Sequence, residues 1–161
     1  MCGIAGIINT NGDLVSSSLI RKMTNELTHR GPDGEGQWAE EYIALGHRRL
    51  SIIDLSEAGT QPMISEDNRW VLTYNGEIYN FKEIKKELEN SGIRFKSSTD
   101  TEVVLYALIC WGEKALLKFN GMFALALWDR KKKELLLARD RYGIKPLYYS
   151  LKSERFVFAS E

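Results

Sequence analysis

Cys2 is the residue of this chain best suited to covalent chemistry. A thiol nucleophile needs a base within hydrogen-bond reach, usually a histidine, and the chain has only His29 and His47. Removal of Met1 would supply a different base, because it leaves a free α-amine on the same residue as the thiol, and free α-amines titrate near pH ~8. Cys2 would then provide both nucleophile and base. The alternative is a small residue without a chemical role.

Asn75 and Gly76 could hold a developing negative charge. A carboxamide and a backbone N–H are the kinds of donor that form an oxyanion hole, and loss of one typically lowers the rate by about 10²- to 10³-fold. The same dipeptide at the end of an apolar strand, RWVLTY over 69–74, is ordinarily a hairpin turn. The dipeptide by itself favours the turn, and the oxyanion hole is the functional alternative.

Arg49 and Asp100 are candidates for recognising the two charged groups of a free amino acid. Arg49 lies in an apolar segment, where a guanidinium is unfavourable unless it is paired or directed at a ligand, and it can bind a carboxylate through two hydrogen bonds. Asp100 follows Thr99 at a predicted helix start, where the helix dipole already favours an acid. A salt bridge or an edge position would also explain Arg49. Helix stabilisation would also explain Asp100, and Glu77 has the same ambiguity.

The histidines and the second cysteine have structural explanations. We expect His29 and His47 to serve in packing or hydrogen bonding. Cys110 lies between Ile109 and Trp111 and is predicted to be a buried small hydrophobic residue. No cluster of His or Cys in the sequence suggests a metal site.

The elements that must position these residues predict an α+β fold. The first predicted strand, over 3–9, begins directly after Cys2. The helices are predicted from Ser16 to the Gly31-Pro32 break, from Asn80, with Glu83 as a capping box, to Gly92, and from Thr99 to Gly112. The other strands are predicted over 37–46, 48–53, 69–74, 123–129, 134–139, 147–151 and 155–160. Strands and helices do not alternate as βαβ units, and the last four strands have the spacing of antiparallel hairpins.

Composition limits the classes of partner. The 161 residues contain 22 basic and 22 acidic side chains, so there is no excess positive charge of the kind that binds nucleic acid. No segment approaches the roughly 20 apolar residues that cross a membrane, and the N-terminus lacks the features of a signal peptide. We expect one cytoplasmic domain with no nucleic-acid partner and no membrane partner.

The sequence contains eight motifs in this order: MCGIAG, HRGPDG, GHRRLSIIDLS, QPM, YNGEIYN, STDTEV, FNGMFALALWD and RDRYGIKPLYY. In their order and approximate spacing they resemble the class II glutamine amidotransferase domain of asparagine synthetases, over essentially the whole chain. The resemblance implies an Ntn-hydrolase fold, in which two antiparallel sheets pack between helix layers.

The resemblance also implies roles for the candidate residues. Cys2 would attack the side-chain amide of L-glutamine and release ammonia through a thioester. Arg49 would hold the substrate carboxylate and Asp100 would receive its amine. Asn75 and Gly76 would form the oxyanion hole, with Glu77 beside it. The backbone lining the site would come from Leu50, Ser51, Ile52 and Ile53.

A further implication is a C-terminal, ATP-dependent synthetase domain that receives the ammonia. Residues 1–161 are then expected to be the glutaminase domain, an N-terminal fragment of a longer polypeptide. No cofactor is expected in it, and ATP and Mg²⁺ are expected only in the synthetase domain. A homodimer is one alternative for the assembly.

Three other functions compete with this reading: amidation of a different carboxylate, hydrolysis of peptide amides, and a non-catalytic interaction module of the same fold. The presence of Cys2, Arg49, Asn75 and Asp100 together argues against the interaction module. A peptide-amide hydrolase would not need the pair of Arg49 and Asp100.

Overall fold

A computed structural model describes residues 1–50 and 59–161, and the strands of these residues form two antiparallel sheets. In chain order the strands are β1 (Gly3–Asn9), β2 (Gly34–Glu40), β3 (Ile43–Arg49), β4 (Met63–Ile64), β5 (Trp70–Ile78), β6 (Gly121–Asp129), β7 (Glu134–Arg139), β8 (Tyr148–Lys152) and β9 (Arg155–Ala159). The first sheet has the order β2-β3-β1-β9-β8, and the second has the order β4-β5-β6-β7. Cys2 therefore directly precedes the central strand of the first sheet.

Helices cover the outer face of each sheet. The helices are α1 (Ser17–Glu26), α2 (Phe81–Asn90), α3 (Asp100–Trp111) and α4 (Ala115–Lys118), and a 3-10 turn spans Gly112–Lys114. Helix α1 packs Ile20 against β1 and β3 of the first sheet. Helices α2 and α3 pack Leu88 and Val104 against the second sheet.

The two sheets pack face to face through a shared apolar layer. It contains Ile4 and Phe158 of the first sheet and Val71 and Trp128 of the second, each at most 1% exposed. The layers therefore run helix, sheet, sheet, helix, and the predicted sandwich of two antiparallel sheets between helix layers is confirmed.

Most predicted elements are present, but the strand predicted over 37–46 is wrong in its bounds. A turn at Glu41 and Tyr42 separates β2 from β3, and Glu41 has a φ of 49°. The bounds were missed because Ala39, Tyr42 and Ala44 continue an apolar pattern across the turn, which hides the reversal in the sequence. Residues 51–53 of the next predicted strand lie outside the described part of the chain.

Two local predictions on the helices are also wrong. Asn80 precedes α2, but its side chain does not cap the helix. It accepts a hydrogen bond from the Asn120 N–H and donates one to the Lys118 carbonyl. Cys110 is exposed, because the buried face of α3 includes Val103, Val104, Ala107 and Leu108, and position 110 has turned away from it.

Candidate active site

A cavity of about 360 Å³ opens where the two sheets, the start of α3 and the β7–β8 connection meet. It brings together the predicted site residues that the structure describes. They are Cys2, Arg49, Leu50, Asn75, Gly76, Glu77 and Asp100. The remaining predicted residues, Ser51, Ile52 and Ile53, lie outside the described residues.

The Cys2 thiol is half-buried and is held by the backbone that follows β3. Its sulfur accepts a hydrogen bond from the Leu50 N–H at 3.4 Å and lies 3.7 Å from the Leu50 carbonyl oxygen. The Arg30 Nε donates to the Cys2 carbonyl at 3.2 Å. The backbone of Cys2 is thus fixed on one side by β1 and on the other by Arg30.

Met1 lies at the mouth of the cavity. It is 54% exposed and lines the cavity together with Cys2. While Met1 is attached, the Cys2 nitrogen is an amide without basicity, so the arrangement of nucleophile and base on one residue requires its removal.

Asn75 and Gly76 are not a hairpin turn. They lie inside β5, opposite Ala124 and Phe123 of β6. The Asn75 side chain is 2% exposed, and its Nδ2 has no hydrogen-bond partner among residues 1–50 and 59–161. A buried donor without an acceptor is unfavourable, so an Nδ2 at the cavity wall is suited to a ligand oxygen.

Packing requires a glycine at position 76. A Cβ at this position would lie 2.6 Å from the Met122 carbonyl oxygen and 2.7 Å from the Tyr74 ring. Any side chain here would clash with β6 and with Tyr74. The absence of a Cβ also leaves the backbone N–H of Gly76 approachable.

Asp100 begins α3 and faces the cavity as a buried carboxylate. Its Oδ2 accepts hydrogen bonds from the Tyr74 hydroxyl at 2.8 Å and from the Ile78 N–H at 3.1 Å. Burial raises the pKa of Asp100, and these hydrogen bonds oppose the rise. A substrate ammonium would favour the ionised form and would fit the remaining acceptor capacity.

Arg49 ends β3 and lies against Gly59. A Cβ at position 59 would lie 2.5 Å from Arg49 Nη2, so this glycine leaves room for the guanidinium. The cavity therefore has a fixed cation and a fixed anion in its lining, as recognition of a free amino acid requires.

Several residues that line the cavity were not predicted as site residues, among them His47, Gln61 and Lys145. His47 confirms its expected hydrogen-bonding role: its Nε2 lies 3.1 Å from the Tyr74 carbonyl oxygen. The pKa of His47 is lowered to about 4, mainly by burial and in part by the charge of Arg49, while the hydrogen bond to Tyr74 opposes the change. The neutral ring therefore donates to that carbonyl. Gln61 Oε1 accepts from the Tyr74 N–H at 2.6 Å, which holds the residue before Asn75 from its other side.

Two other features of the described residues bear on the class of protein. None of their His, Cys, Asp and Glu side chains form a group that could hold a metal ion. None of their helices is long and apolar enough to cross a membrane. His29 lies away from the cavity, with its ring exposed, and pairs with Glu161 at 3.0 Å.

Known proteins share this sequence and fold. Residues 1–161 match the family model described as a glutamine amidotransferase domain. Asparagine synthetase [glutamine-hydrolyzing] 3 of Bacillus subtilis (strain 168) is 40% identical over 164 residues, which cover 100% of this chain and 26% of that protein. A putative asparagine synthetase [glutamine-hydrolyzing] 2 of Methanocaldococcus jannaschii is 40% identical over 179 residues, which cover 100% of this chain and 34% of that protein.

A solved structure supports the fold. Glutamine phosphoribosylpyrophosphate amidotransferase from B. subtilis, complexed with ADP and GMP, superposes with a TM-score of 0.83 at 24% identity. The superposition covers 99% of this chain and 42% of that one. The chain spans about a quarter of the length of the Bacillus asparagine synthetases that it matches. Because the family model matches the whole chain, the chain belongs to the glutamine amidotransferase domain family.

Proposed function

We propose that this chain hydrolyses L-glutamine to glutamate and ammonia, with Cys2 as an N-terminal nucleophile. The observation that carries the proposal is the buried Asn75 Nδ2 without an acceptor, in the cavity that also contains the Cys2 thiol, Arg49 and Asp100. Arg49 would bind the α-carboxylate of glutamine and Asp100 its α-ammonium. The side-chain amide would then extend toward Cys2.

The reaction would proceed in two stages. The Cys2 α-amine takes the thiol proton, and the sulfur attacks the amide carbon of glutamine. The oxyanion that forms accepts hydrogen bonds from Asn75 Nδ2 and the Gly76 N–H. Collapse transfers the proton to the leaving nitrogen and releases ammonia, leaving a glutamyl thioester on Cys2. Water, deprotonated by the same α-amine, then attacks the thioester, and glutamate departs as the thiol is regained.

We further propose that the ammonia serves an ATP-dependent asparagine synthetase domain in a longer polypeptide. The names and the greater lengths of the curated relatives support this proposal. ATP and Mg²⁺ would act in that other domain. The homodimer and the cytoplasmic location stay predictions.

Replacement of the two cysteines tests the proposed nucleophile. Cys2→Ala should lower glutamine-dependent ammonia release by at least about 10³-fold, because no other group replaces a catalytic nucleophile. Cys110→Ala is the matched control, since that thiol is exposed on α3, and it should keep the rate. Ammonia release by purified Cys2→Ala at the original rate would refute the assignment.

A substrate panel separates the competing amide hydrolases. The rate with free L-glutamine should exceed the rates with asparagine and with a glutamine-containing peptide, because only free glutamine presents both charged groups at the required distance from its side-chain amide. Equal rates on the peptide would favour a peptide-amide hydrolase.

A further inference from the structure

Lys145 is a buried cation in the cavity that the proposed reaction does not use. It is 6% exposed and lines the cavity. Among the described residues, its Nζ has one hydrogen-bond partner, the Met1 sulfur at 3.3 Å, and no carboxylate within ion-pair distance. A buried ammonium without an anionic partner is strongly unfavourable, so its retention at this place calls for a specific explanation.

The turn before Lys145 fixes its backbone. The Asp140 carboxylate accepts hydrogen bonds from N–H groups of the turn and of β6. The Arg139 side chain donates to carbonyl groups of the same turn. The donors to Asp140 are Phe123, Tyr142, Ile144 and Lys145, and the acceptors from Arg139 are Gly143 and Lys145. The turn is therefore tied to β6 and braced from both sides, which holds the lysine at the cavity wall.

The Lys145 ammonium contacts the first residue of the chain, Met1. Its contact atom, the sulfur of Met1, is separated from the Cys2 nitrogen by five covalent bonds. When Met1 is removed, the side chain that the ammonium contacts is gone, and Lys145 and Cys2 remain in the lining of the same cavity. A fixed positive charge there disfavours a second positive charge on the α-amine and favours a negative charge on the thiol.

Other charged or titratable groups also face Cys2. Arg30 reaches its carbonyl from outside the cavity and is paired with Glu161. The others that line the cavity are His47, Arg49, Tyr74, Glu77 and Asp100. His47 is neutral above pH ~4. Together with Lys145, the cations around Cys2 are therefore Arg30 and Arg49, and Lys145 contacts Met1.

We propose that Lys145 activates Cys2 electrostatically, by keeping its α-amine unprotonated at neutral pH and by favouring the negative charge that develops on the sulfur as the proton passes to that amine. Lys145 acts through Cys2 and does not itself contact the reacting amide. The inference rests on the proposed function for its catalytic consequence, but ionisation of Cys2 is measurable without any substrate.

The first test is the pH dependence of kcat/KM for glutamine, with Met1 removal confirmed by mass spectrometry. In Lys145→Met the ascending limb should move to higher pH by about one unit, the size of effect that a nearby charge exerts. Lys145→Arg keeps the positive charge, so its ascending limb should lie close to that of the unmodified protein. Lys132→Met, which removes an exposed lysine from the β6–β7 turn, should leave the limb in place. A raised KM with an unmoved limb would overturn the proposal and would assign Lys145 to substrate binding.

The second test is alkylation of Cys2 by iodoacetamide as a function of pH, in a Cys110→Ala background that leaves Cys2 as the only thiol. The limb of the alkylation rate should also move upward by about one pH unit in Lys145→Met. An unchanged limb in a variant with a native thermal transition would refute the inference. If the unmodified protein released no ammonia from glutamine, the proposed function would fail, whereas the alkylation limb would still decide the role of Lys145.

Discussion

Arg49 and Asp100 come from different elements and meet in one cavity. Arg49 ends β3 of the first sheet, and Asp100 begins α3, which packs on the second sheet. In the proposed reaction both bind groups of glutamine whose charge does not change as the amide reacts. Their interactions should therefore stabilise the bound substrate and the transition state equally.

Removal of either charge should act mainly on binding. Arg49→Ala and Asp100→Ala are each expected to raise the KM for glutamine by at least about tenfold, with kcat changed far less, because uniform binding energy appears in KM. Steady-state ammonia release measures both constants. Arg94→Ala, at an exposed position between α2 and α3, is the control and should keep both. An unchanged KM with a collapsed kcat would indicate a catalytic role instead.

These two residues illustrate which parts of the site could be predicted. Cys2 and Arg49 stand out in the sequence because each has a chemistry that its local element does not need, whereas Asp100 also has a local explanation at a helix start and is indicated mainly by the family motif around it. His47 and Lys145 give a weaker signal, since one histidine or lysine in an apolar segment is usually a packing or surface residue. Their positions at the cavity depend on contacts between residues distant in the chain, His47 with Tyr74 and Lys145 with Met1.

The connection between β6 and β7 depends on one carboxylate at its start. Asp129 is 1% exposed, and Arg69 donates to both of its oxygens, at 2.9 and 2.7 Å. The N–H groups of Lys131 and Lys132 also donate to Asp129. Hydrogen bonds from Arg69 are the main reason that the pKa of Asp129 is lowered to about 2.

Asp129→Asn should therefore destabilise the second sheet in a pH-dependent way. Because the folded pKa lies below the unfolded value of about 4, the carboxylate stabilises the fold above pH ~4, and this contribution is lost as the pH falls toward about 2. We expect the variant to lose at least about 2 kcal/mol at pH 7, from hydrogen bonds to a charged group. Urea unfolding at pH 7 and pH 3 measures the free energy of unfolding. The gap between variant and unmodified protein should narrow at pH 3, and a constant gap would contradict the argument. Glu113→Gln removes an exposed carboxylate and should change neither value.

Element boundaries were harder to predict than element types. Asn75-Gly76 has the local chemistry of a turn, but pairing with Ala124 and Phe123 keeps it inside β5. Conversely, Glu41 carries no turn signal, yet the chain reverses there. In both cases the pairing of neighbouring strands outweighs local preference, and pairing cannot be read from a single segment. The α+β class was predictable because the apolar periodicities of the longer segments are clear.

At the scale of the whole molecule, the two sheets are tied together by polar contacts beside the cavity. His47 of β3 reaches the Tyr74 carbonyl of β5, and Thr73 Oγ1 donates to the Gly46 carbonyl at 3.2 Å. These bonds cross the apolar layer at the strands that carry Arg49 and Asn75. They therefore fix the position of Arg49, on the first sheet, relative to Asn75, on the second.

The burial of His47 should make the stability of the fold sensitive to mild acid. Its folded pKa of about 4 lies below the ordinary value of 6.5, so the unfolded chain binds the proton more readily. The contribution of neutral His47 to the free energy of unfolding is therefore fully present above pH ~6.5. It is lost as the pH falls toward about 4, by up to about 3 kcal/mol. Urea unfolding across this range should show a shallower pH slope for His47→Gln than for the unmodified protein. His29→Gln, which alters an exposed ring, should keep the steeper slope. Equal slopes for all three proteins would exclude a role for His47.

The position of β1 has a consequence for the order in which the site can form during synthesis. β1 lies between β3 and β9, and the Ile4 N–H donates to Ser160 Oγ across a separation of 156 residues. Such distant pairing is slow to form, because a long loop must close first. β1, which directly follows Cys2, leaves the ribosome before the other strands and helices of residues 1–161, and its partner β9 emerges after them. Cys2 is thus the earliest part of the site to be made and among the last to be held in place, so a nascent chain would carry its thiol without the assembled cavity.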